Sequence, residues 1–311
     1  YTPAEIDGIR AEIAEIKEQS GLSWADLARE SGMPAGTIQP FTKSNYTGDN
    51  QKIAEKAKIW LMSRADKQQA SRKLRRSPEF QKTPTASAFL ETLMYAHTSP
   101  EIAVISGSPG TGKTCTAEHY AATSSNVYMT TMQPCTATVN TMLNAIAEAM
   151  KLNERSQGKL SGAIGAKVRG AGALIIVDEA QHLATAALEQ LRSLFDIYKV
   201  GIVLIGNEEV YSRLEGGARK ATFAQLYSRI GMRTNKSKPA AKDVCMLLDA
   251  WDVPADARTL LKTIAQKPGG LRTIDRTLKL VHVLAAGKNE PITERLIKGA
   301  YERLSSNGEG A

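Results

Sequence analysis

Gly107-Ser-Pro-Gly-Thr-Gly-Lys-Thr114, placed directly after the apolar run Ile102-Ala-Val-Ile105, has the form G-x-x-x-x-G-K-[ST]. A buried strand, a glycine-rich turn and a helix start are the context that such a phosphate loop requires. Gly107, Gly110 and Gly112 let backbone N–H groups converge on an anion, and Ser108, Pro109 and Thr111 complete the loop. The helix opening near Lys113 adds the positive end of its dipole. Lys113 is expected to reach the β- and γ-phosphates of a nucleotide, and the Thr114 hydroxyl to sit on Mg²⁺. Cys115, in the first turn of the helix, belongs to the same binding set.

About 65 residues further on, Leu174-Ile-Ile-Val-Asp178-Glu179 reads as a second buried strand, ending in two acids. Asp178 at its carboxyl end can hold Mg²⁺ through water, and Glu179 can polarise an attacking water. The pair points to ATP hydrolysis as well as binding. Val203-Leu-Ile-Gly-Asn207 is a third such strand, and its terminal amide can orient the water or touch the γ-phosphate.

Around these motifs, residues 85–235 alternate strand and helix. Strands are expected at 102–106, 126–131, 173–178 and 201–206, with helices between them that include 138–150 and 188–198. Such alternation predicts an α/β fold: a parallel sheet covered by helices on both faces. Residues 236–305 read as a helical lid, with apolar faces at 244–248, 260–264, 278–281 and 296–297, and 306–311 as a tail.

Residues 1–62 read as a small helical domain. Ile6, Ile9, Ile13 and Ile16 mark one helix face, and Ser23 with Asp26 forms a capping-box-like start for a second helix. Ala28, Gly32, Ile38 and Phe41 have the spacing of a helix-turn-helix. Pro40 is expected to bend or stop the second helix of that pair. Thr37, Gln39 and Lys43 are the side chains there able to contact DNA, more suited to phosphates than to bases. A docking domain without DNA contact is the other reading. Residues 63–84, with Arg64, Lys67, Arg72, Lys73, Arg75 and Arg76, read as a basic linker without a packed element.

The chain has 311 residues, 42% hydrophobic and 23% charged, with a net charge of +8 and a pI near 9.3. That balance favours an acidic partner, nucleic acid first. No apolar stretch approaches the roughly 20 residues of a membrane span, and no secretory leader is visible. Three unpatterned cysteines fit neither a zinc site nor a disulfide framework, so a reducing cytoplasm is expected.

The order of phosphate loop, Asp-Glu strand, Asn207, Arg229 and then Gly269-Gly-Leu-Arg272 in a helical region resembles the AAA+ ATPases. The resemblance implies Walker A at Gly107–Thr114, Walker B at Asp178–Glu179 and sensor 1 at Asn207. It further implies an arginine finger at Arg229, completing a neighbouring subunit's site, and sensor 2 at Arg272; Arg213 and Arg219 compete for the finger role. Within that superfamily the chain resembles the phage Mu target-DNA activator (MuB) family. The likeness includes Tyr46-Thr-Gly-Asp-Asn50, Val210-Tyr-Ser212, Gly216-Gly217, Tyr227-Ser-Arg-Ile230 and Ile264-Ala-Gln-Lys-Pro-Gly269. Asp178-Glu-Ala-Gln-His182 also resembles TniB-type transposition helpers.

This resemblance implies a nucleoid-associated helper that assembles with ATP into helical filaments on double-stranded DNA and presents that DNA to a DDE transposase. Lys151, Arg155, Lys159, Lys167 and Arg169, on a glycine-containing stretch after the second strand, are the further DNA-contact candidates. Two rival readings use the same nucleotide residues: a helicase loader of the replication type, and a transcriptional regulator with ATP as a conformational ligand.

Overall fold

The structure, a computed structural model, describes residues 1–73, 75–154, 156–208, 228–288 and 290–306. It divides into two compact units, Tyr1–Arg75 and Arg76–Ala311.

The first unit is helical. Helix α1 (Pro3–Ser20) opens on a Thr2–Glu5 capping box, and α2 (Trp24–Ser31) on the expected Ser23–Asp26 box. Gly32, at φ +68°, ends α2, and α3 (Ala35–Thr42) follows. Pro40 lies inside α3, which stops two residues later. Helix α4 spans Asn50–Lys73. Ile6, Ile9 and Ile13 of α1, Leu27 of α2, Ile38 and Phe41 of α3, and Ala54, Ala57, Trp60 and Leu61 of α4 form the core. Truncating the fully buried Phe41 to Ala would cost about 3–5 kcal/mol. One expectation is corrected here: the basic run was read as unpacked, yet α4 continues through residues 63–73. Alanine, lysine, arginine and glutamine are good helix formers, and no glycine or proline interrupts them.

In the second unit, a parallel sheet contains β1 (Ile102–Gly107), β2 (Val127–Thr131), β3 (Leu174–Asp178), β4 (Gly201–Gly206) and β5 (Ile230–Lys236), in the order β2-β3-β4-β1-β5. The first four lie where the apolar runs placed them. β1, β3 and β4 are buried along their whole length, because helices cover both faces. Ala103 and Ile105 of β1 pack with Phe89 and Leu93 of α5 (Pro84–Thr98) and Ala117 of α6 (Lys113–Thr123). Ile102 and Val104 face the opposite cluster, formed by Met142 and Ile146 of α7 (Val139–Ala149), Leu160 and Ile164 of α8 (Gln157–Val168), and Leu188 and Leu191 of α9 (Thr185–Tyr198). The period-2 alternation of strand side chains thus divides β1 between two hydrophobic layers.

β5 was not read from the sequence. It is a partly exposed strand paired with β1, and Ile230-Gly-Met-Arg-Thr-Asn-Lys236 lacks a continuous apolar run.

The four expected C-terminal helices are present: α10 (Ala241–Ala250), α11 (Arg258–Ala265), α12 (Gly270–Lys288) and α13 (Glu294–Ser306). They share a separate core built on Leu248, Trp251, Leu261, Ile274, Leu278, Val281 and Ile297. The buried Asp243 of α10 joins this bundle to the start of α5. Its carboxylate accepts from the Thr85 amide at 3.0 Å, from the Thr85 hydroxyl, and from the Ala240 amide at 2.7 Å.

Candidate functional site

Parallel strands send their carboxyl ends to one edge of the sheet, and the candidate residues gather there. β1 leads into Gly107–Gly112 and then α6, β3 ends at Asp178, and β4 ends just before Asn207. A cavity of about 410 Å³ opens at this edge, lined by the phosphate loop, Cys115, Asp178, Glu179, Asn207 and Arg272.

The loop's shape depends on glycine at two close approaches. Gly107 has φ +145°, and a Cβ there would lie 2.0 Å from the Lys236 carbonyl oxygen of β5. Gly110 has φ +81°, and a Cβ there would lie 1.9 Å from the Gly269 carbonyl oxygen. The C-terminal bundle therefore rests directly on the loop, and the Leu271 amide donates to the Gly110 carbonyl at 2.9 Å. That contact brings the start of α12, with Arg272, to the cavity.

Lys113 Nζ donates to the carbonyls of Gly107 and Ser108 at 2.7 and 2.9 Å. Burial lowers its pKa from the usual lysine value, while Asp178 and Glu179 oppose that shift. The Thr111 hydroxyl donates back to the Ser108 carbonyl at 3.1 Å and braces the turn. Thr114 Oγ1 donates to Asp178 Oδ2 at 2.8 Å. Burial raises the Asp178 carboxyl above the ordinary range, opposed by the Thr114 hydroxyl and the Glu179 amide. That amide donates to Asp178 Oδ1 at 2.9 Å.

The Thr114–Asp178 pair fits a hard divalent cation, which takes oxygen ligands. Among the described residues no group of three or more His, Cys, Asp or Glu could hold a metal. Held by this pair, such a cation would leave positions for phosphate oxygens and water. Cys115 lies at the cavity with its thiol pKa raised by burial.

Arg229 stands apart from this cluster. It is 48% exposed and pairs with Asp196 of α9 through Nε–Oδ1 at 3.0 Å. Asp196 also pairs with Arg192 at 2.6 Å. The competing Arg213 and Arg219 lie outside the described residues, as does Arg155. Lys159 and Lys167 are exposed on α8. Lys151 is exposed at φ +56° just past α7. Arg169 is exposed, with its guanidinium carbon 5.3 Å from the Tyr198 ring centroid. In the first unit Thr37 and Gln39 are half-buried on α3, and Lys43 is exposed at its end.

The sequence reading missed one wall of the cavity. Residues 77–81 and Thr83, taken as linker, line it: Phe80 stacks on His119 with ring centroids 3.9 Å apart, and the Ser77 hydroxyl donates to Asp275 at 3.1 Å. Thr83 caps α5, accepting from the Ala86 amide at 3.2 Å. The signal available was a lone phenylalanine between Ser77-Pro78 and Thr83-Pro84 in a polar stretch. Among the described residues no helix is long and apolar enough to cross a membrane.

Residues 96–214 match the AAA domain family, and residues 228–304 match the family described as Mu B transposition protein, C terminal. The ATP-dependent target DNA activator B of Escherichia phage Mu is 37% identical over 302 residues, covering 96% of each chain. The Mu-like prophage FluMu DNA transposition protein B of Haemophilus influenzae is 32% identical, over 83% of this chain and 91% of its own. Among solved structures, a Walker-type ATPase of Pyrococcus abyssi superposes with a TM-score of 0.51 at 12% identity, covering 75% of each chain. Drosophila ORC bound to DNA gives 0.51 at 13%, over 76% of this chain and 65% of that one. At these identities the structural likenesses concern the fold alone.

Proposed function

We infer the function from one premise: the chain belongs to the family of Mu B transposition proteins and is an AAA ATPase. Its role is that of a transposition helper, which binds ATP, engages target DNA and hands that DNA to a DDE transposase. The meeting of Lys113, Thr114, Asp178 and Glu179 at one cavity edge supports the ATPase part of this reading, and the likeness to Mu B transposition proteins supports its transposition part.

The chemistry follows from those residues. Lys113 supplies a point charge to the β- and γ-phosphates, and the loop amides with the start of α6 supply oriented donors. Thr114 and Asp178 would hold Mg²⁺, which neutralises phosphate charge when bound. Asn207 and Arg272 reach the γ-phosphate side from β4 and from the C-terminal bundle. Glu179 accepts a proton from water as the water oxygen bonds to the γ-phosphorus. The bond to the departing ADP oxygen then breaks, and ADP and phosphate result.

Arg229, exposed and remote from its own phosphate loop, completes the site of an adjacent copy. ATP-dependent self-association into a helical filament would use such a shared site. The net charge of +8 and the exposed Lys151, Lys159, Lys167 and Arg169 support contact with double-stranded DNA through phosphates, without strong sequence preference. Thr37, Gln39 and Lys43 add secondary contacts. A helper of this kind works in the cytoplasm of a bacterial host, on its nucleoid.

The test is electron microscopy of the full chain with duplex DNA, comparing ATP, ADP and no nucleotide, alongside phosphate release. Filaments on DNA only with ATP, together with turnover, are expected. Turnover without any ATP-dependent DNA assembly would remove the transposition-helper reading and leave only the ATPase.

A further inference from the structure

Glu179 occupies an uncommon backbone position. Its φ of +53° and ψ of +39° lie in the left-handed region, which residues with a Cβ seldom adopt. The short 3₁₀ turn that follows, Ala180–His182, is firmly seated. Ala180 and Leu183 are each 1% exposed, and the Ala184 amide donates to the Ala137 carbonyl at 2.9 Å. From this turn the Gln181 side-chain amide donates to Glu179 Oε2. Glu179 lines the cavity, and Gln181 is not among the residues that line it.

Resting on the reading of Glu179 as the base for water, we propose that Gln181 is a positioning residue for that carboxylate. Its amide occupies one carboxylate oxygen and fixes the orientation of the other, the one that receives the water proton. A glutamate side chain has three rotatable bonds, so an unrestrained carboxylate spends part of its time turned away from the water. A fixed one has already lost that freedom before the reaction begins. Because Gln181 acts through Glu179 and is not part of the cavity wall, its effect falls on turnover and not on nucleotide affinity.

The experiment uses the full chain and measures ATP turnover for Gln181→Leu and Gln181→Glu, with thermal melting to confirm folding. Gln181→Leu should lower kcat about three- to tenfold, the scale of releasing one side chain's rotamers, with KM for ATP within about twofold of wild type. Gln181→Glu, which sets a second carboxylate against the first, should lower it further. It also keeps a polar side chain at this half-buried position, so it serves if the leucine variant fails to fold.

The decisive arm repeats Gln181→Leu in a Glu179→Gln background, read as single-turnover release of γ-phosphate. No additional loss is expected there, since the carboxylate being positioned is gone. An equal fold-loss in that background, an unchanged kcat in both single variants, or a change in KM alone would overturn the positioning role while leaving Glu179 as base. Wild-type turnover by Glu179→Gln alone would instead overturn the base reading, and the positioning role with it.

Discussion

The Thr114 hydroxyl donates to the Asp178 carboxylate across 2.8 Å, joining the start of the helix after the phosphate loop to the end of β3. These two oxygens come from positions 64 residues apart, brought together because β1 and β3 end at the same edge of one parallel sheet. The bond also limits the rise that burial imposes on the Asp178 carboxyl.

If this pair serves Mg²⁺, Asp178→Asn should weaken ATP binding in Mg²⁺ by roughly ten- to a hundredfold, the worth of one charge-assisted interaction. Binding in EDTA should change far less, because the amide retains a similar shape. Titration with a fluorescent ATP analogue in both buffers measures the difference. Equal losses in the two would show that the carboxylate acts on the fold and not on the cation.

Lys113→Ala should lower ATP affinity by a similar factor, roughly ten- to a hundredfold, through loss of the phosphate charge. It also leaves the Gly107 and Ser108 carbonyls without their lysine donor. Calorimetric titration of the folded variant checks this, and unaltered affinity would place the phosphates elsewhere.

Gly110→Ala should separate the C-terminal bundle from the phosphate loop. The new methyl would overlap the Gly269 carbonyl, and φ +81° itself costs a non-glycine residue about 1–3 kcal/mol. Lower melting temperature and weaker ATP binding are expected together. Calorimetric melting with and without ATP reads both, and an unshifted transition would mean that the bundle yields freely.

Arg229→Ala should abolish turnover while each subunit still binds nucleotide. Mixing it with Lys113→Ala protein should restore part of the activity, since one shared interface then holds an intact loop and an intact arginine. If no mixture recovers although both variants fold and co-assemble, the finger is another residue, with Arg213 next.

DNA affinity should fall steeply with salt, log K against log salt having a slope of roughly −0.9 per phosphate neutralised. Lys159→Ala with Lys167→Ala should reduce both affinity and slope, with ATP binding unaltered. The same slope in wild type and double variant, read by fluorescence anisotropy at several salt concentrations, would move the DNA contact off α8.

Local pattern made much of this site legible. The run Ile102-Ala-Val-Ile105, the eight residues of the loop and the strand ending at Asp178 each report on their own neighbours. Buried parallel strands must be apolar throughout, and only glycine fits where Gly107 and Gly110 meet other backbone segments. The α/β class, the phosphate loop and the helical C-terminal bundle were therefore determined by sequence alone. Tertiary structure decided what depends on distant partners. β5 is held by pairing with β1, and its mostly polar sequence, without a continuous apolar run, gives little sign of a strand. Residues 77–81 and Thr83 form a cavity wall because Phe80 finds His119 and Ser77 finds Asp275, contacts that no local period encodes. The bundle meets the loop through the Leu271 amide and the Gly110 carbonyl, which are backbone atoms that every residue but proline carries in full. A sequence distinguishes side chains, so it announces the elements that side chains select. It is silent where folding brings ordinary backbone groups and single side chains together from far along the chain.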